Sequence, residues 1–123
     1  MKKIVLLVVI ALLFFGAGPA LANKSAIRLE APVNGGQGEK IAITIFVKHS
    51  ANNFFHHTKM VTLTINGQEA ARWEFSGTNL PEAAEFSRTV DYVLTGGPIT
   101  LEATAFCNMH GSDNTATATV GLR

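Results

Sequence analysis

The segment Met60-Val61-Thr62-Leu63-Thr64-Ile65-Asn66-Gly67-Gln68-Glu69-Ala70-Ala71-Arg72-Trp73-Glu74-Phe75 has the residue pattern of a β-hairpin. Val61, Leu63 and Ile65 alternate with polar residues at the period of two that a half-buried strand requires. Asn66-Gly67 follows, and both residues tolerate the positive φ of a type I′ turn, whose twist matches that of the strands it joins. Ala71, Trp73 and Phe75 then give the returning strand one apolar face.

The same pattern extends in both directions. Upstream, Ala26 to Ala31 reads as a strand closed by Pro32 and the Asn34-Gly35-Gly36 turn. Lys40 to His49 alternates cleanly, with Ile41, Ile43, Ile45 and Val47 on one face. Downstream, a polar loop around Gly77 to Pro81 leads to a strand from Phe86 to Leu94, with Val90 and Tyr92 inward. Thr95-Gly96-Gly97-Pro98 turns the chain into Ile99 to Cys107, where Ile99, Leu101, Ala103 and Ala105 face the core, and Thr115 to Leu122 closes the domain. About seven strands and no convincing helix predict an all-β, immunoglobulin-like β-sandwich.

The first residues predict export. Lys2 and Lys3 form a positive start, Ile4 to Phe15 is an unbroken apolar run, and Gly16, Gly18 and Pro19 interrupt it. Ala20-Leu21-Ala22 supplies a small-x-small cleavage site. The run is too short to cross a hydrocarbon layer of roughly 30 Å, so it reads as a cleaved signal peptide rather than an anchor. Residues 1–22 are the expected leader, and residues 23–123 one domain in the periplasm or another extracytoplasmic space, free of the membrane after cleavage. Without Lys2 and Lys3 the ten Lys and Arg fall to eight, against nine Asp and Glu, a net charge of about −1. That is no footprint for nucleic acid or an anionic membrane.

The four histidines and the single cysteine gather in two short windows: His49, His56 and His57 in one, Cys107 and His110 in the other. Each window stands at the end of an expected strand, where a rigid sheet meets an accessible loop. A lone thiol in an oxidising compartment is a liability unless buried, paired between chains or metal-bound. Taken singly, each residue has an ordinary explanation: a solvated loop histidine, or a buried structural thiol that continues the inward parity of Ile99 to Ala105. Taken together they predict one metal site, because imidazole and thiolate suit iron, copper or zinc, whereas Ca²⁺ and Mg²⁺ want oxygen donors.

Cys107-Asn108-Met109-His110-Gly111 resembles the Cys-Asn-x-His-Gly signature of the superoxide reductase family, the neelaredoxin and desulfoferrodoxin iron domain. His49 and the segment His56-His57-Thr58-Lys59-Met60-Val61 are similar to that family's histidine block, and Asn23 to Pro32 to its opening block. The resemblance implies an immunoglobulin-like fold and a mononuclear iron that reduces superoxide to hydrogen peroxide. It implies Cys107 as axial thiolate, His49, His56 and His110 as imidazole ligands, and Lys24 as the cation that draws in the anionic substrate. Lys24 also has the plain reading of a solvated lysine near a chain end. The family's first histidine is Ser25 here, its capping glutamate is Asn23, and the step from His49 to His56 is one residue longer. His57 either completes the metal site or lies just outside it. No Cys-x-x-Cys pair exists for a second iron, so the electron donor is expected to be a separate protein.

Two other readings stand beside this one. A blue-copper-like electron carrier would use His49 and the Cys107-x-x-His110 turn around copper, though no methionine follows His110 as an axial donor. A plain immunoglobulin-like interaction module would keep only a degenerate site.

The leader reading has a direct check. Mass spectrometry of protein purified from an exporting host should give a mature chain that begins at Asn23. An abundant species retaining Met1 would contradict it.

Overall fold

The computed structural model describes residues 25–109 and 113–123. The expected leader, Asn23, Lys24 and His110 lie outside the described residues. Among the described residues, eight strands run in chain order: β1 (Ala26–Glu30), β2 (Asn34–Gly35), β3 (Lys40–Lys48), β4 (Thr58–Ile65), β5 (Gln68–Glu74), β6 (Glu85–Val93), β7 (Ile99–Cys107) and β8 (Asp113–Leu122). The strand beyond the expected seven is β2, where the Asn34–Gly35 turn segment pairs in parallel with Gly121 and Leu122. The strands form two sheets, β1-β3-β6 and β2-β8-β7-β4-β5, and all the other pairings are antiparallel.

Alternation decides what each sheet buries. Ile41, Ile43, Ile45 and Val47 on β3 face Val61, Leu63 and Ile65 on β4 and Ile99, Leu101, Ala103 and Ala105 on β7 in a single apolar core, which also takes in Phe86, Leu94 and Val120. At the hairpin tip, Asn66 (φ 51°) and Gly67 (φ 81°) both have the positive φ of the expected turn. Asn66 also accepts a bond from the Thr100 amide through Oδ1 at 2.9 Å, which fastens the turn to β7.

One irregularity matters for the site. Where β4 begins, its pairing with β7 shifts between Thr58 and Met60. Strict alternation backward from Val61 would turn Lys59 inward. Instead Lys59 is exposed and Thr58 is 1 % exposed, opposite Cys107 in the ladder. Such a bulge bends a strand and re-aims its side chains, commonly beside a site.

The core contribution of β4 is testable by Leu63→Ala. Leu63 is fully buried, and truncation should lower the unfolding free energy by about 2–5 kcal/mol in a urea titration with the slope unchanged. A loss below about 1 kcal/mol would show that β4 does not carry the core as described.

Candidate metal centre

The centre is built by two strands that belong to different sheets. The inward series of β3, Ile41-Ile43-Ile45-Val47, has His49 as its next member, just past the strand end. The inward series of β7, Ile99-Leu101-Ala103-Ala105, ends in Cys107. Both side chains are buried, at 4 % and 3 % exposure, and His49 Nε2 lies 3.1 Å from Cys107 Sγ. The His49 ring is oriented from behind, because the Ala51 amide donates to its Nδ1 at 3.1 Å, leaving Nε2 toward the sulfur. The His49 amide in turn donates to the Ala84 carbonyl at 2.9 Å, which ties this end of β3 to the approach of β6.

His56 arrives by a different route. Asn53 opens a tight turn in which its Oδ1 accepts from the amides of Phe55 and His56, both at 3.0 Å, the local bonding for which asparagine is favoured in turns. The Asn53 amide and the His56 carbonyl close the turn at 2.9 Å. Gly77 allows the loop to seat: a Cβ there would lie 2.9 Å from the Phe54 carbonyl oxygen and 2.8 Å from its ring. The half-buried His56 ring then meets the His49 ring edge to face, with centroids 4.6 Å apart and planes at 86°.

Among the described residues, one ligand atom from each of His49, His56 and Cys107 lies within 4.8 Å of the others, close enough to share one ion. The 3.1 Å between His49 Nε2 and Cys107 Sγ suits an imidazole N–H donating to sulfur, so the pair is brought together before any ion arrives.

His57 is buried at 4 % exposure but stands apart from this cluster. Its Nδ1 is 3.0 Å from the Asn53 carbonyl oxygen, and its amide donates to Asn108 Oδ1 at 2.8 Å. Ser25 is buried with its hydroxyl 2.9 Å from that of Thr58, and its carbonyl accepts from Asn114. Sequence reading missed Thr58, Asn53 and Asn108 as parts of the site. Asn53 carried a signal, an asparagine just before a pair of aromatic residues and the histidines, whereas the pairing of Thr58 with Cys107 depends on the bulge. Phe54, Phe55 and Met109 are exposed on the same loops and give that end of the sandwich an apolar rim.

The desulfoferrodoxin family profile matches residues 21–115. No curated protein sequence matches significantly. Among solved structures, the neelaredoxin of Ignicoccus hospitalis, a superoxide reductase, is similar over 86% of this chain and 89% of its own, at 21% identity and a TM-score of 0.68. A variant of that protein gives 22% identity and a TM-score of 0.69, with 88% of each chain covered. The CARDB domain of a Pyrococcus furiosus protein, in complex with di-metal ions, gives 18% identity and a TM-score of 0.64 over 85% of this chain and 96% of that one. At these identities the structural likeness establishes a shared fold, and the profile match, which spans most of the sequence, establishes the relationship: this chain belongs to the desulfoferrodoxin family.

Proposed function

We propose that this chain is an exported iron protein that reduces superoxide to hydrogen peroxide at a centre held by His49, His56, Cys107 and His110. The observation that carries the reading is the cluster of His49, His56 and Cys107, whose ligand atoms lie within 4.8 Å of one another, in a chain of the desulfoferrodoxin family. Iron held there would supply a positive charge for the anion and one-electron chemistry.

The protein's own residues account for the rest. Cys107, buried where β7 ends, would hold the iron through its sulfur and raise electron density there. His49 is held in register by the Ala51 amide, and His56 by the Asn53 turn. The Ser25 hydroxyl is engaged with Thr58 and is a far poorer donor to a borderline metal than imidazole, so three imidazoles and one thiolate form the donor set. Lys24 attracts and orients the anion from the residue before Ser25. Each turnover adds one electron and two protons to superoxide. The only cysteine is Cys107, so the electron comes from a separate donor protein and the protons come from solvent. Export places the reaction outside the cytoplasm.

A copper electron carrier is the second reading, favoured by the combination of one cysteine and two histidines within 4.8 Å, a donor set that copper also accepts. The match to the desulfoferrodoxin family profile favours iron.

One set of proteins separates these readings: untagged wild type, Cys107→Ser, His56→Ala and His57→Ala, each measured for bound metal, visible absorption and superoxide consumption. Wild type should carry about one iron per chain and consume superoxide. Cys107→Ser should lose the thiolate charge-transfer band, and His56→Ala should lose iron. His57→Ala should retain iron with affinity lowered by about 10-fold, the lower end of the range for a residue outside the ligand set. Copper as the bound metal would establish the second reading. An unchanged spectrum in Cys107→Ser would remove the thiolate and the mechanism with it.

A further inference from the structure

We propose that Asn108 is a positioning residue for His56, its side-chain amide acting as a single-residue strand partner across the gap between the two loops of the centre. The proposal rests on the reading of His56 as a metal donor.

The two loops share little backbone pairing where they meet. β4 and β7 pair from Thr58 and Cys107 onward, and His56 lies beyond the end of that ladder. Asn108 bridges the remainder. Its Nδ2 donates to the Phe55 carbonyl at 3.0 Å and its Oδ1 accepts the His57 amide at 2.8 Å, so one amide grips the main chain on both sides of His56. A carbonyl at one residue and an amide two residues later are the groups that one residue of a parallel strand would engage. The Asn108 backbone amide adds a third bond, to the His57 carbonyl at 3.1 Å.

His56 cannot be placed by its own turn alone. Its amide and carbonyl are both spent on Asn53, which fixes the shape of the turn and leaves its position relative to Cys107 open. Asn108 is covalently next to Cys107, so the amide that grips the histidine loop is carried by the neighbour of the sulfur donor. Any displacement of the Cys107 end of β7 is passed to His56 through this side chain. Asn108 itself is solvent-exposed and outside the core, so its replacement acts on the site rather than on the fold.

The test uses the metal-free full-length mature protein, with Co²⁺ alone as the probe, in wild type, Asn108→Ala, His56→Ala and the double variant. Asn108→Ala should weaken Co²⁺ binding by about 10–100-fold, as loss of a supporting hydrogen bond does at other metal sites, while the melting temperature moves by only a few degrees. In the His56→Ala background the same substitution should cost nothing further, because the donor it positions is gone. Amide exchange at His57 should accelerate in metal-free Asn108→Ala. An equal loss of Co²⁺ affinity in both backgrounds, or unchanged affinity in Asn108→Ala while His56→Ala weakens binding, would overturn the assignment. Unchanged binding in His56→Ala would instead overturn the reading of His56 as a donor, and the assignment with it.

Discussion

The contact between His49 Nε2 and Cys107 Sγ joins the two sheets of the sandwich at one end of its core, and the rest of the site is arranged around it. Each partner occupies the next inward position of an apolar series, on β3 and on β7. Strand parity therefore aims His49 and Cys107 as well as the core. A slip of one residue in either strand would send Ile43 or Leu101 to solvent and the histidine or cysteine with it. The apolar core enforces the register, and the register delivers these two side chains to the same point.

Polar groups at that end need their own compensation. Among the described residues, Ser25, His49, His57 and Thr58 are the buried polar ones; His49 touches Cys107, Thr58 stands opposite it in the ladder, and Ser25 bonds to Thr58. An unpartnered polar group in such surroundings would cost roughly 1–3 kcal/mol. The hydroxyls of Ser25 and Thr58 bond to each other, His49 lies between the Ala51 amide and the sulfur, and His57 bonds to Asn53 and Asn108. These bonds restrict the loops in advance, which lowers the entropy cost of assembling a site around an ion.

The sheet scaffold was legible in the sequence because alternation is periodic and local. Ile41 to Val47, Val61 to Ile65 and Ile99 to Ala105 all bury the face that their spacing indicates, and Asn66-Gly67 makes the turn that its residues favour. The choice between His56 and His57 was not legible. The shift between Thr58 and Met60, which sends Lys59 outward and brings Thr58 opposite Cys107, was equally hidden, because no residue type in that segment announces it. Asn108 looked like one letter of a motif. Its role depends on three bonds to residues some fifty positions earlier, which only the folded chain brings together. The pairing of β2 was missed for a related reason, since two residues carry no periodicity.

The proposed function puts one iron between the sheets, with the thiolate of Cys107 and several imidazoles in its inner sphere. X-ray absorption at the iron edge of untagged, iron-loaded protein tests this most directly. A single sulfur at about 2.3 Å and nitrogen donors at about 2.1 Å are expected, with the outer scattering of imidazole rings. An inner sphere with no sulfur would rule out this centre.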